Sequence, residues 1–240
     1  MNIFNMISKF FDTKKYRKNP VPQNLSAEQF TAINIGAINS EQIEYFCDSL
    51  STGSSVTDIK DNLSSYYGIE DRETALETLE WLFISGHRVY FDLIKGALSD
   101  RETQIDRSGL DEDDIARMQE YISNLRESFG NLISYDFIKL KQMAELYRQS
   151  IDAWDMGRLV LVTRCCFDAG YISDEEAWRY IFNARSLSQK VYTSWEEFAS
   201  GYVIGRAMCL GNTMSLTDII GIVQGLLQDD ASPWIQCKFK

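Results

Sequence analysis

The stretch Ala169-Gly170-Tyr171-Ile172-Ser173-Asp174-Glu175-Glu176-Ala177-Trp178 places a helix stop beside a helix start. Gly170 is positioned to end one helix as a left-handed C-terminal residue, a conformation glycine adopts without a Cβ clash. Ser173 and Glu176 have the spacing of a capping box, in which each side chain satisfies a free amide at the start of the next helix. The same spacing returns at Ser194 and Glu197 in Ser194-Trp195-Glu196-Glu197-Phe198. Together these signals predict three consecutive helices.

The helical pattern continues outward in both directions. No proline lies between Pro22 and Pro233, so nothing there removes an amide donor or clashes with a helical turn. Asp71 is a candidate cap for a helix carrying Ala75, Leu76, Leu79, Leu82 and Phe83 on one face. Asp111 to Asp114 supply negative charge at the start of a helix whose stripe is Ile115, Met118, Ile122, Leu125 and Phe129. Phe137, Leu140, Ala144 and Tyr147 suggest a further stripe. Ser215 to Gln228 reads as a last helix that buries Leu216, Ile219, Ile220, Val223 and Leu226. Arg88 to Leu93 fits either an extended segment or a continued helix. Asp100 to Glu112 is polar, contains Ser108-Gly109 and is the best internal hinge. The expected fold is all-α, a compact multi-helix bundle of roughly eight to ten helices in two packed halves. Residues 1–22 form an N-terminal segment and linker, 23–108 one half and 109–240 the other, joined as one continuous domain or kept as two.

Charge narrows the function classes. The chain of 240 residues holds 24 Lys and Arg against 35 Asp and Glu, a net of −11. In residues 1–20, Lys9, Lys14, Lys15, Arg17 and Lys18 oppose Asp12, so this segment is +4 and the other 220 residues hold −15. Such a body does not neutralise phosphates in bulk, which argues against a nucleic-acid partner. Ile3, Phe4, Ile7, Phe10 and Phe11 follow helical spacing ahead of the basic cluster. Residues 1–18 could therefore lie on a membrane surface, but a helix capping the protein's own core is the simpler reading. The charges follow the apolar stretch instead of preceding it, unlike a signal peptide. The five cysteines show no C-x-x-C spacing and fit reduced thiols in a cytoplasmic protein. One histidine rules out multi-His metal sites, and neither nucleotide-binding glycine loops nor a G-x-S-x-G elbow is present. No cofactor and no metal is expected.

The most informative feature occurs twice. Trp154-Asp155-Met156-Gly157-Arg158 and Tyr202-Val203-Ile204-Gly205-Arg206 share aromatic-x-x-Gly-Arg. On a helix the aromatic and the Arg lie four apart on one face, so the guanidinium can cover the ring. A mid-helix glycine costs about 1 kcal/mol relative to Ala, a loss that a close helix crossing offsets. Two helices are therefore expected to cross near Gly157 and Gly205, bringing Arg158 and Arg206 together. Asp155, Asp168, Glu197 and Asp229 are candidate acidic partners that would fix the crossing as an ion-pair network. In the other reading the arginines hold an external anion. His87, in Gly86-His87-Arg88, is the one general acid–base candidate, although a lone His at a helix end more often caps carbonyls.

These residues carry a resemblance. Tyr67-Gly68-Ile69, Glu73 to Leu82 and Gly86-His87-Arg88 are followed by Trp154-x-x-Gly157-Arg158, Ala169-Gly170-Tyr171-Ile172, Glu176-Ala177-Trp178, Ser194-Trp195-Glu196-Glu197-Phe198, Tyr202-x-x-Gly205-Arg206 and Asp229-x-x-Ser232-Pro233-Trp234. In that order, from about Leu25 to Trp234, the chain resembles the bacterial domain-of-unknown-function family 1266. The resemblance implies a mostly helical cytoplasmic protein and marks His87, Arg88, Arg158, Arg206, Trp154, Trp195, Tyr202 and Trp234 as motif positions. It implies no activity. Such an acidic body without a complete catalytic set suggests a non-catalytic protein that binds a basic partner, as an immunity protein masks an interbacterial toxin. The alternative is an enzyme or sensor that binds a small phosphorylated or nucleotide ligand. There Arg88, Arg158 and Arg206 would hold the anion, Trp154, Trp195, Tyr202 and Trp234 would line the cleft, and His87 would move protons.

Overall fold

A computed structural model describes residues 16–99 and 110–240. The amphipathic stripe of residues 3–11, the hinge core at Ser108-Gly109 and the boundary at 108/109 lie outside the described residues. Helices α1 (Ala27–Ile33) and α2 (Ala37–Gln42) flank a 3₁₀ turn, Asn34–Gly36. Then come α3 (Val56–Tyr67), α4 (Arg72–Ile84), α5 (Arg88–Ser99) and α6 (Glu112–Leu132). A second 3₁₀ segment, Met143–Arg148, leads to α7 (Asp152–Asp168), α8 (Asp174–Val191), α9 (Trp195–Leu210), α10 (Met214–Gln228) and α11 (Pro233–Gln236). The fold is all-α, and the described residues include no strand.

The local signals act largely as their chemistry requires. Asp71 accepts from the Thr74 amide at the start of α4, and Asp111 accepts from the Asp114 amide at the start of α6. Ser173 and Glu176 form the reciprocal box that opens α8, and Gly170 has φ +77° behind α7. The second box is only half formed. Ser194 caps the Glu197 amide, but the Glu197 carboxylate turns to the amide and hydroxyl of Thr193, one residue before the cap. Arg88 to Leu93 lie in a helix. Phe137, Leu140 and Ala144 do not share one. Ile138 and Leu140 point inward with Lys139 exposed between them, the alternation of an extended segment.

Helix α7 is the axis of the molecule. It packs against α8, α9, α4, α3, α2 and the first 3₁₀ turn, so elements from both sides of the chain meet on it. It is apolar or close-packed almost all round, as a helix with neighbours on every side must be. Helix α9 crosses it and is covered in turn by α6 and α10. In α10 the five residues Leu216, Ile219, Ile220, Val223 and Leu226 are all buried, one apolar stripe at helical spacing.

One buried cation organises the N-terminal loop. Arg164, in α7, is 1% exposed. Its guanidinium donates to the carbonyls of Phe46, Ser49, Leu50 and Ser51 and to Ser40 Oγ. One turn further on, Asp168 accepts from the Thr52 amide at 2.7 Å and from the Thr52 hydroxyl at 2.6 Å. The loop's backbone polar groups thus find their partners on a helix side chain.

Candidate functional site

The two aromatic-x-x-Gly-Arg motifs meet where α7 crosses α9, and each glycine receives the other motif's aromatic. A Cβ on Gly205 would lie 2.5 Å from Trp154 Cβ, and one on Gly157 would lie 2.9 Å from Tyr202 Cε2. The Trp154 and Tyr202 rings meet edge to face at 5.2 Å. Tyr202 is 1% exposed, and its hydroxyl accepts from Asn39 Nδ2 at 2.9 Å. The glycines are therefore required by contact, and the propensity they forgo is offset by aromatic packing.

The acid beside the first motif does something else. Asp155 is fully buried and faces the Gly86-His87-Arg88 turn. Its carboxylate accepts from the His87 amide at 2.9 Å, the Arg88 amide at 3.0 Å and Arg88 Nη1 at 3.2 Å. This places an anion on the free amides at the start of α5, where the helix dipole also favours it. Gly86 has φ +61°, and a Cβ there would stand 2.2 Å from Asp155 Oδ2. Glycine is needed both for the turn and for the carboxylate's approach. Arg88 completes the knot by donating to the carbonyls of Leu82 and Phe83 at the end of α4 and by pairing with Asp152 at 3.4 Å. Arg88 and Asp155 are scaffold.

Among the described residues, Arg158 is left without a carboxylate. Its place three residues after Asp155 predicts an ion pair along the helix, but the amides of α5 hold that acid. Arg158 Nη1 instead meets His87 Nδ1 at 3.0 Å, and its guanidinium lies over the Trp154 ring at 5.1 Å and the Tyr67 ring at 5.7 Å. An arginine is always a donor, so this bond needs a lone pair on His87 Nδ1, a nitrogen that also stands 3.4 Å from Asp155 Oδ1. The imidazole packs edge-on to Trp81 at 5.1 Å. Tyr66, Tyr67, Glu77, Thr78, Trp81, His87 and Arg158 line a cavity of about 360 Å³ that opens to solvent.

The remaining expectations divide. Arg206 does not cover the Tyr202 ring, whose surroundings Gly157 and Asn39 fill. It is 6% exposed and donates to Ser215 Oγ, and its Nη1 has no hydrogen-bond partner among the described residues. Burial lowers its pKa. Arg158 and Arg206 do not share an acid, although both lower the pKa of Cys209, a thiol that burial pushes up to about 12. Asp168, Glu197 and Asp229 are not partners of either arginine. They accept from Thr52, from Thr193 and from the Ala231 amide, each within a loop or helix end. Trp195 and Trp234 do not line the cavity beside Trp154. They stack on each other at 4.7 Å and 9°, with Phe198 and Phe239 at their edges. Their indole N–H groups donate to the Cys237 and Asn34 carbonyls, so this nest clasps the C-terminus onto the core. Trp154 and Tyr202 are themselves buried. The aromatic lining is instead Tyr66, Tyr67 and Trp81; Tyr67 and Trp81 fall within the quoted family stretches but are not among the candidate aromatic residues, and Tyr66 falls in none. The available signal was Trp81 on the polar face of α4, a large apolar side chain among Glu73, Glu77 and Glu80.

The fold and site define a helical protein built on two crossed aromatic-x-x-Gly-Arg helices, with a buried Asp155 knot and an Arg–His cleft beside it. The chain belongs to the family described as "Protein of unknown function (DUF1266)", which it matches over residues 62–239. The matched region starts after α1 and α2, later than the sequence likeness from Leu25 suggests. No curated protein and no solved structure matches the chain. Among the described residues no helix is long and apolar enough to cross a membrane, and no group of three or more His, Cys, Asp or Glu side chains could hold a metal ion.

Proposed function

We propose that this is a non-catalytic binding protein whose α3–α4 face docks a basic partner protein, as a bacterial antidote protein masks a toxin. One observation carries the reading. Between residues 58 and 80 the acids Asp58, Asp61, Glu70, Asp71, Glu73, Glu77 and Glu80 are all exposed, against only Lys60 and Arg72. The same two helices expose large apolar groups: Val56 at 52%, Tyr66 at 79%, Trp81 at 40% and Ile84 at 68%. Carboxylates around aromatic anchors suit a basic protein surface, with charge steering the encounter and the rings supplying buried area. Arg72 is already engaged with Glu176, which leaves little positive charge to oppose such a partner. Catalysis is disfavoured because the one histidine bonds Arg158 where a general base would meet a nucleophile.

Co-expression with the products of neighbouring genes tests this. A basic protein should co-purify with the wild type, and the Asp58→Lys/Asp61→Lys/Glu73→Lys variant should lose it while Asp229→Asn keeps it. Capture of no basic protein, or equal capture by both variants, would remove the reading.

A further inference from the structure

The Arg158–His87 cleft holds an anomaly that partner docking does not use. In a chain of net charge −11, neither Arg158 at the cleft wall nor Arg206 buried behind it has a carboxylate partner among the described residues. Arg158 spends Nη1 on His87, and among the described residues its other N–H groups have no protein acceptor. The rings of Trp154 and Tyr67 lie against the guanidinium, but its hydrogen bonds lie in its own plane, so ring contact does not consume them. His87 adds a second donor. With Nδ1 facing Arg158 and Asp155, Nε2 is the ring nitrogen left for a ligand, and the ring is part of the cavity wall. Aromatic surface shares the cavity: Trp81, beside His87, and Tyr66 are exposed and line it. Glu77, on the rim, accepts hydrogen bonds only.

We propose that this cleft binds a nucleoside monophosphate. The phosphate would sit on the in-plane N–H groups of Arg158 and on His87 Nε2–H, the geometry a guanidinium fork favours. The base would stack on Trp81 or Tyr66, and Glu77 would accept from the ribose hydroxyls. A cavity of about 360 Å³ is at the small end of ligand sites. With one free guanidinium edge and one imidazole, it has room and charge for one phosphate rather than a chain of them. The cavity shares Tyr66, Glu77 and Trp81 with the docking face, but the two tests use different residues: Asp58, Asp61 and Glu73 for the partner, Trp81 and Arg158 for the ligand.

The test is isothermal titration of the full chain with 5′-AMP, GMP, CMP and UMP, with adenosine and inorganic phosphate as fragments. At least one monophosphate should bind at one site per chain, with each fragment at least roughly tenfold weaker. Trp81→Ala should weaken the monophosphate about tenfold or more, the scale of one base–aromatic stack, while Trp81→Phe, which keeps an aromatic face beside His87, should retain most of the binding. Arg158→Gln should abolish binding. If that variant does not fold, Trp81→Ala and the fragments still decide. The proposal is overturned if no monophosphate binds at millimolar concentration, if phosphate alone binds as tightly, or if Trp81→Ala binds as the wild type does.

Discussion

At Gly86 one hydrogen atom decides whether a buried charge is satisfied. A methyl there would meet the Asp155 carboxylate at 2.2 Å and would also strain a φ of +61°. Asp155 in turn anchors two amides and one guanidinium, so neutralising it leaves Arg88 without its buried partner. Asp155→Asn is expected to lower unfolding free energy by about 3–5 kcal/mol, the range for breaking a buried pair, and Gly86→Ala should also destabilise, both measured by urea denaturation. The motif glycines give a sharper contrast. Gly205→Ala gains about 1 kcal/mol of propensity but drives a Cβ to 2.5 Å from Trp154, an overpacking cost of about 1–3 kcal/mol, so it should destabilise. Gly221 lies in α10, and a methyl there would have nothing within 4 Å, so Gly221→Ala should stabilise by about 1 kcal/mol. Equal signs for the two would contradict the crossing. At this scale the spacing told which residues matter, and the glycines could be read from their cost. The arginine roles could not. Whether Asp155 serves Arg158 or the amides of α5 depends on a turn 67 residues away in the chain.

At the scale of elements, capping chemistry was the most legible part. Asp71, Ser173 and Ser194 cap helices where their spacing placed them, and Asp111, expected only to supply charge at its helix start, also caps. Local bonds decide such sites. The segment after α6 was not legible, because apolar residues three and four apart there turn to the core from bends and a 3₁₀ helix. One cap also bridges elements: Glu176 closes its box at α8 and pairs with Arg72 of α4 at 2.6 Å. The Arg72 hydrogen bond, followed by the Ser173 amide, holds its carboxyl at about 2, against an ordinary 4.5. A depressed carboxyl contributes stability above its unfolded pKa and loses it as pH falls through the folded one. The urea midpoint of the wild type should therefore exceed that of Glu176→Gln near neutral pH, and the gap should close between about pH 4.5 and 2. The pair is exposed and its effect small. A gap that widens on acidification would contradict it.

Across the whole molecule, α7 separates two uses of charge. Inside, Arg164 and Asp168 hold the N-terminal loop, while Asp155 and Arg88 hold the turn between α4 and α5. Outside, Glu80 of α4 accepts from the Tyr180 hydroxyl, while Asp58 and Asp61 of α3 and Glu73 and Glu77 of α4 are exposed near aromatic groups. Net charge alone showed an acidic body in the sequence, but not which acids serve the interior. Of the four acids singled out there, only Asp155 meets an arginine. The proposed docking face rests on that division, because acids not used internally stay available to a partner. The most direct measurement is the dissociation constant of the purified basic partner, titrated against salt, for the wild type and for Asp58→Lys/Asp61→Lys/Glu73→Lys with matched melting temperatures. Rim charges act on encounter and are screened by ions. The wild-type affinity should fall steeply as salt rises, and the variant should bind at least roughly tenfold more weakly at low salt, with a flatter slope. Indistinguishable affinities and slopes for the two proteins would contradict the account.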